Sequence, residues 1–350
     1  MKRLLLVLVA VSLFVPAAAH SAACSPLNCS PSQFAVAGTS LLGFRSSALG
    51  HVTIADLRTG ARRYTLPGGF VDGHLLVHQN GRTLTWYDLR TGRKTQSATL
   101  PWRMRLAGAS QDGSRAVGLR QPHGASTVVI ATPDGDWRQV PLPTGNWDFD
   151  ALRGEHLFLI RFLPTGGYQV VLVDLSTDSP TTRVIKDPRD SGTIWGSPFS
   201  RLSSPDGQYL FTLYLGSNGA AMVHELDLAH ATARCIDLPG TGDYNSANSW
   251  GLSLSPDART LWAVSPGYGR IVGIDVASRA VASHARIDLP DWNLLAGTRM
   301  AVSPDGSHVA MTDGETVALV GLADGKVAQR TKTKARAVGF APGGRLAQVT

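Results

Sequence analysis

Apolar positions along this chain fall in short runs that are separated by turn-forming residues. The clearest run is LSSPDGQYLFTL at 202–213, which returns as LSLSPDARTLWAV at 252–264 and as MAVSPDGSHVAMT at 300–312. The Ser-Pro-Asp serines of these copies are 51 and 48 residues apart. Proline presets φ at a central turn position, aspartate bonds to nearby backbone, and glycine accepts positive φ. Each copy therefore predicts a β-hairpin.

Two further landmarks recur between these hairpins. An alternating apolar strand ends at an aspartate that begins another turn, at Asp56, Asp88, Asp174, Asp227 and Asp275. A later strand ends in Leu-Pro, with the leucine at Leu66, Leu100, Leu142, Leu238 and Leu289. Three landmarks imply four strands in each unit, and four strands in roughly 40–50 residues are typical of a β-propeller blade.

We therefore predict an all-β fold, a seven-bladed β-propeller of four-stranded antiparallel blades, with eight blades as the alternative. The predicted blades cover 34–67, 68–101, 104–143, 147–188, 199–240, 250–290 and 299–335. Residues 336–350 supply only an inner strand and the start of a second. We expect these C-terminal strands to close the ring by completing the blade that the N-terminal segment begins, which would remove an open sheet edge.

The repeats VSPDGSHVAMT at 302–312 and LSSPDGQYLFTL at 202–213 resemble those of bacterial WD40-like propellers of the YVTN (YncE) and TolB types. The resemblance extends over about residues 34–350. It implies the propeller fold but no particular activity, because such propellers serve as scaffolds, receptors and enzymes alike.

The first residues have the pattern of an export signal. Lys2 and Arg3 precede an apolar run from Leu4 to Val15, and small residues at 17–19 follow. That run is too short to span a bilayer, which needs about 20 apolar residues. The predicted segments are a signal peptide at 1–23, an N-terminal tether at 24–33 and the propeller at 34–350. We expect a chain that is secreted, periplasmic or associated with the cell envelope.

The three cysteines leave alternatives open at the N-terminus. The residues before Cys24 loosely match a lipoprotein signal, so Cys24 is a candidate for lipid attachment and peripheral membrane association. Cys24 could instead form a short disulfide with Cys29 in an oxidising compartment, or carry neither modification. Cys235 lies in an apolar context that predicts a buried small hydrophobe.

Charge adds little about partners except in one segment. The formal charge is +7, and removal of Lys2 and Arg3 leaves +5, which suits attraction to anionic envelope polymers or headgroups. We expect no nucleic acid partner. Residues 328–338 carry basic side chains two apart, which would share one face of a strand. That face could protect an outer strand from edge pairing or contact an anionic polymer; the residues are Arg330, Lys332, Lys334 and Arg336.

Aromatic residues recur where one predicted blade joins the next, at Phe70, Trp102, Trp147, Trp195, Trp250 and Trp292. These junction loops share one face of a propeller, so a ligand could meet a rim of aromatic and polar side chains. The competing interpretation is that the aromatics fill the space between blades. A mixture would have Trp147, Trp250 and Trp292 outward and the others packed. The candidate ligand-binding or partner-binding residues are Trp147, Asp148, Trp195, Asp243, Tyr244, Asn245, Asn248, Trp250 and Trp292.

These patterns favour a monomeric, non-catalytic binding or scaffolding protein for a protein, peptide or carbohydrate of the cell envelope. We predict no cofactor and no metal, because His51, His78 and His123 come from different blades without local ligand spacing. The alternative is a lactonase-like propeller hydrolase with Asp148, Asp150 and Asp243 at the channel mouth. Sequence motifs for nucleophilic or metal catalysis are absent, although catalytic residues scattered over blades would escape that search.

Overall fold

Strand pairing follows the turn spacing closely. A computed structural model of the chain describes residues 33–36, 38–45, 50–120, 127–177 and 181–350. The proposed signal peptide, almost all of the tether, Cys24, Cys29 and His123 lie outside these ranges. Within them, seven antiparallel sheets of four strands follow one another in chain order and form a seven-bladed β-propeller.

Each blade uses four consecutive strands from the inside outward. Blades 1–3 contain β1 (Gln33–Ala35), β2 (Leu41–Arg45), β3 (Val52–Asp56), β4 (Arg62–Leu66); β5 (Phe70–Asp72), β6 (Leu75–Asn80), β7 (Thr83–Asp88), β8 (Lys94–Thr99); β9 (Arg105–Ala109), β10 (Ala116–Arg120), β11 (Thr127–Ala131) and β12 (Trp137–Pro141). Blades 4 and 5 contain β13 (Asn146–Arg153), β14 (His156–Phe162), β15 (Tyr168–Asp174), β16 (Thr182–Ile185); β17 (Ser197–Ser203), β18 (Tyr209–Leu215), β19 (Ala220–Asp227) and β20 (Thr232–Thr241).

Blades 6 and 7 contain β21 (Gly251–Leu254), β22 (Thr260–Ser265), β23 (Arg270–Asp275), β24 (Ala280–Arg286); β25 (Arg299–Val302), β26 (His308–Thr312), β27 (Thr316–Gly321) and β28 (Val327–Lys332). A 3₁₀ helix, Tyr244–Ser249, precedes blade 6. The C-terminal hairpin consists of β29 (Ala337–Phe340) and β30 (Leu346–Val349). Because consecutive strands are antiparallel, successive loops alternate between the two faces of the ring.

The Ser-Pro-Asp turns are held by their own side chains, as the sequence predicts. The Ser303 hydroxyl donates to Asp305 Oδ1 at 2.5 Å and accepts from the backbone N–H of His308 at 2.9 Å. Asp305 also accepts from the N–H of Ser307. These hydrogen bonds to the charged form lower the pKa of Asp305 to about 2. The same serine-to-aspartate bond closes the turns at Ser110, Ser204 and Ser255.

Apolar residues pack mainly between adjacent blades. One core joins blades 3 and 4, a second joins blades 5 and 6, and a third joins blades 6 and 7. The recurrent Leu-Pro leucines are all buried in such interfaces, at Leu66, Leu100, Leu142, Leu238 and Leu289. Burying a side chain of this size stabilises the fold by about 1.5–3 kcal/mol. The third landmark is therefore a packing residue between blades.

Ring closure differs from the expected one. Blade 1 has four strands of its own, and the C-terminal hairpin forms a separate two-stranded sheet between blades 7 and 1. Val338 packs on blade 7, whereas Ala337 and Val349 pack on blade 1. The hairpin is too short to complete a blade, so side chains join it to its neighbours. Arg345 donates to the Arg58 carbonyl of blade 1.

Gln33 provides a second closing contact. Its amide nitrogen donates to the Met300 carbonyl at 3.0 Å and to the Val338 carbonyl at 2.7 Å. Its amide oxygen accepts from the N–H of Val338 at 3.0 Å. One side chain of the first strand thereby bridges the inner strand of blade 7 and the hairpin.

Two smaller expectations change. The outer strand β28 ends at Lys332, so Arg330 and Lys332 lie on it but Lys334 and Arg336 follow it, and the four do not share one strand face. Cys235 is only partly buried, and its thiol lies 3.9 Å from a carboxylate oxygen of Asp190.

Among the described residues, no helix has the length and apolar character needed to cross a membrane.

We predict that Gln33→Ala lowers the free energy of unfolding by about 1–3 kcal/mol, because buried backbone groups lose their partners. Gln329→Ala on the exposed outer strand β28 is the matched control, with an expected change within about 0.5 kcal/mol. Urea denaturation of both variants provides the measurement. Equal stability of the two variants would show that Gln33 does not hold the ring closed.

Candidate functional site

Three of the junction tryptophans fill the space between blades. The exposed fractions of Trp147, Trp250 and Trp292 are 2%, 3% and 6%. Trp147 packs between blades 3 and 4, Trp250 between blades 5 and 6, and Trp292 between blades 6 and 7. Their burial agrees with the packing interpretation. The mixed arrangement, in which these three tryptophans would face outward, is wrong for all three.

Polar contacts fix two of these indoles. Trp147 Nε1 donates to the Pro143 carbonyl at 2.9 Å, and Trp292 Nε1 donates to the Thr298 hydroxyl at 3.2 Å. Trp250 packs on Tyr268 with ring centroids 5.2 Å apart. These contacts point into the protein, so the three indoles present no open face to a ligand.

Trp195 has the opposite environment. It lies in the loop between β16 and β17, and 59% of it is exposed. Ile194 pairs with Tyr168 through two backbone hydrogen bonds, which anchors the loop beside blade 4. The indole rests on the Gly166–Gly167 turn, where a Cβ on either glycine would stand 3.2–3.3 Å from the ring. One indole face therefore lies on backbone and the other is open.

A pocket of about 870 Å³ opens beside Trp195. Blade 5 supplies its apolar wall through Tyr214, Leu215 and Met222, which lie at the adjacent ends of β18 and β19. Tyr214 is held by Tyr168, whose ring centroid is 5.8 Å away. The volume falls within the range of small-molecule sites, which is roughly 300–1,000 Å³.

Polar groups surround the open side of this pocket. They are the hydroxyls of Ser197 and Ser217, the amide of Asn218 and the carboxylate of Asp237. Asn218 Oδ1 accepts from the N–H of Ala220 at 3.1 Å, which fixes the side chain at the turn. An exposed indole with neutral donors, acceptors and one carboxylate suits a polar ligand that has an apolar face.

The long junction at 239–251 lies next to this pocket. The N–H of Gly242 bonds to the Gly219 carbonyl at 3.2 Å, which brings the junction beside the loop that carries Asn218. Asp243 is exposed, and Asn248 is half-buried in the 3₁₀ helix. Tyr244 and Asn245 belong to the same helix. Of the candidate residues whose side chains the structure describes, Trp195 alone lines the pocket.

Asp148 and Asp150 have structural partners. Asp148 pairs with Arg105 at 2.8 Å, and Asp150 pairs with Arg201 at 3.2 Å. Both aspartates lie on the inner strand of blade 4, and their arginines lie on the inner strands of blades 3 and 5. These ion pairs connect the inner strands of three blades. Two of the three carboxylates considered for the alternative hydrolase, Asp148 and Asp150, are therefore engaged in ion pairs.

Asp72 extends this charge network to blade 2. Burial raises the pKa of Asp72 to about 7; the positive charge of Arg201 opposes that rise, and the negative charge of Asp112 adds to it. Because Arg201 belongs to blade 5, this electrostatic interaction relates the inner strands of blades 2 and 5.

Two histidines of the candidate set, His51 and His78, contact backbone carbonyls. His51 Nδ1 lies 3.3 Å from the Leu66 carbonyl, and His78 Nδ1 lies 2.6 Å from the Gly68 carbonyl. In the described ranges, no group of three or more His, Cys, Asp or Glu residues is arranged to hold a metal ion. His123, the third histidine of that set, lies outside the described residues.

Sequence reasoning missed Tyr214, Met222 and Asp237 because they look like ordinary strand residues. The available signal was the turn Gly216-Ser217-Asn218-Gly219, whose small polar residues separate two long apolar strands on the junction face. Strand ends beside such a turn can line a cavity, but the sequence does not tell which neighbouring loop leaves the cavity open.

No protein-family model and no curated protein matches this sequence. Solved structures do share its fold. Dihydro-heme d1 dehydrogenase NirN is 16% identical with a TM-score of 0.50, and the match covers 90% of this chain and 69% of that one. Hydrazine synthase of Kuenenia stuttgartiensis is 14% identical with a TM-score of 0.46, and coverage is 84% and 92%.

Apo AztD from Citrobacter koseri is 11% identical with a TM-score of 0.44, and coverage is 81% and 92%. At these identities the similarity concerns the β-propeller fold alone.

We predict that Trp250→Ala lowers the free energy of unfolding by about 3–5 kcal/mol, because it leaves a cavity between blades 5 and 6. Trp195→Ala removes an exposed junction tryptophan and should change it by only about 0.5 kcal/mol. Thermal and urea denaturation compare the two variants. A Trp250→Ala protein as stable as wild type would refute the packing role.

Proposed function

We propose that this chain is an exported, non-catalytic binding protein whose ligand site is the pocket beside Trp195. The observation that supports this most is the 59% exposed indole at the rim of a cavity of about 870 Å³. Exposure of an indole to water is energetically unfavourable. A rigid aromatic ring with one supported face also offers a large contact area to a ligand. The proposal keeps Trp195 from the candidate residues and moves the rest of the site to blade 5.

The chemistry of the rim favours a carbohydrate of the cell envelope over a peptide or a partner protein. A sugar ring has an apolar C–H face for the open side of Trp195 and hydroxyl groups for Ser217, Asn218 and Asp237. The apolar wall at Met222 and Leu215 accepts the remaining ring edge. A single carboxylate at this rim provides little charge for a strongly cationic partner, and neutral polar groups dominate.

A purely binding role is favoured over hydrolysis by the fate of the acidic residues. Asp148 and Asp150 are neutralised by arginines on neighbouring blades. Asp237 is the single carboxylate among the described residues that line the pocket. General acid–base catalysis of hydrolysis commonly uses two positioned groups, so this pocket suits recognition.

The sequence repeats and the N-terminal segment support a family and a location for the chain. The repeats resemble bacterial YVTN and TolB-type propellers, and we propose membership of that group. We also propose a monomer in the envelope that is soluble or attached peripherally through Cys24.

We predict that Trp195→Ala weakens carbohydrate binding at least ten-fold, because the stacking face is lost. Trp137→Ala is the matched control, since Trp137 is also exposed, at 44%, but lies on the outer strand of blade 3. An array of neutral and N-acetylated oligosaccharides identifies the ligand, and calorimetry measures the variants. Asn218→Ala should weaken binding by a smaller factor.

The outcomes separate the ligand classes. The array could capture peptides in place of sugars, with the same dependence on Trp195. That result would support the pocket as the binding site but would identify peptide, not carbohydrate, as the ligand class. Binding that survives in Trp195→Ala but is lost in Trp137→Ala would contradict the site.

We predict that the exported chain loses its leader before Cys24, which mass measurement of the mature N-terminus checks. A diacylglycerol-type mass increase on Cys24 would identify lipid attachment, and its absence would leave Cys24 available for a disulfide. A mature chain that still begins at Met1 would contradict export.

A further inference from the structure

Positive charge concentrates at the end of the chain that closes the ring. Residues 326–350 contain neither Asp nor Glu, and their basic residues are Lys326, Arg330, Lys332, Lys334, Arg336 and Arg345. Lys332 at the end of β28 is exposed, and so are Lys334 and Arg336 in the segment between β28 and the C-terminal hairpin. The regularly spaced basic residues therefore extend to the seam, the boundary at which blade 7 meets the C-terminal hairpin.

Strand geometry brings a second arginine to this seam. Arg299 begins β25, the inner strand of blade 7, and Arg336 immediately precedes β29. Gln33 bonds to the carbonyls of both Met300 and Val338, so the start of β25 lies close to the start of β29.

Alternation along the strands directs both side chains into the seam. Met300 packs toward blade 6, so Arg299 projects to the opposite side, toward the hairpin. Ala337 packs toward blade 1, so Arg336 projects back toward blade 7. Both guanidinium groups are therefore directed toward the same gap, and the positive charge of Arg336 acts on Arg299.

Arg299 is poorly compensated in this position. Its Nε is enclosed without a hydrogen-bond acceptor in the described structure. Burial, together with the positive charge of Arg336, lowers the pKa of Arg299. Among the described residues, no carboxylate forms an ion pair with Arg299 or Arg336, since the ion pairs all involve other residues.

Two other arginines of the inner strands are paired with carboxylates. Arg105 and Arg201 also project from inner strands, and each has an aspartate at 2.8 Å and 3.2 Å respectively. Removing a charge from water without a partner is costly. Two converging arginines without a carboxylate are therefore most simply explained by an anion that the protein binds.

We propose that Arg299 and Arg336 form a phosphate-binding site at the seam between blade 7 and the C-terminal hairpin, with Lys334 adding charge at its rim. Guanidinium groups match the oxygen geometry of a phosphate group and bond to it bidentately. A phosphate dianion neutralises both arginines, whereas a single carboxylate would leave a net positive charge. The phosphate could be free in solution or belong to a lipid headgroup, and both share this chemistry.

The proposal is tested on the full mature chain by thermal denaturation in inorganic phosphate and in chloride at constant ionic strength. The melting temperature of wild type should rise with the logarithm of phosphate concentration. Arg299→Gln should abolish that rise, yet in chloride it should be at least as stable as wild type, because an unpaired charge has been removed. Arg62→Gln, an exposed arginine of β4 in blade 1, should respond to phosphate like wild type.

Arg336→Gln provides a second variant on the exposed side of the seam and should lose at least ten-fold in phosphate affinity. Sedimentation with phosphatidylglycerol vesicles, compared with phosphatidylcholine vesicles, distinguishes a lipid source. Binding to the anionic vesicles that Arg336→Gln loses and Arg62→Gln keeps would support the site with lipid as its ligand.

Two results would overturn the proposal. One is that neither inorganic phosphate nor phosphatidylglycerol vesicles discriminate Arg299→Gln and Arg336→Gln from Arg62→Gln. The other is that Arg299→Gln melts well below wild type in chloride, which would assign Arg299 a structural contact instead.

Discussion

Burial between neighbouring blades is the constraint on which this structure depends. Each four-stranded sheet is apolar on both faces and must cover both of them with another sheet. The large aromatics Trp147, Trp250 and Trp292 fill the junctions, and the Leu-Pro leucines complete the interfaces. A ring meets that requirement for every blade at once, provided that its ends meet. Gln33 and the C-terminal hairpin make that last contact through side chains and apolar packing.

The same constraint explains where a ligand site can form. Most junction aromatics are packed between blades. A pocket can therefore form only at a junction whose aromatic residue is not packed there. Trp195 meets that condition because its loop is held to blade 4 by Ile194 and Tyr168, and its ring rests on a glycine turn. The indole is thereby kept out of the interface, and the ends of β18 and β19 remain uncovered as the wall of a cavity. The site is a local departure from the packing rule.

Charges in the interior follow a comparable division. Arg105 and Arg201 on the inner strands are matched by Asp148 and Asp150, and these pairs tie blades 3, 4 and 5 together. Arg299 and Arg336 meet at the seam without such a match among the described residues. Paired charges contribute to the architecture of the ring, whereas the unpaired ones identify a place where a ligand can supply the missing charge.

The sequence by itself determined the repeat, the four strands of each unit, their turns and the seven blades, because turn chemistry and apolar alternation are local properties. It also placed the Leu-Pro leucines and junction tryptophans at equivalent positions. It could not decide which tryptophan would be exposed, since that depends on Gly166, Gly167 and the loop of blade 5 meeting Trp195 in space. Nor could it show that Asp148 and Asp150 would be neutralised, or that Arg299 would face Arg336. Those relations join residues 37 to 51 positions apart, and only the closed ring brings them into contact.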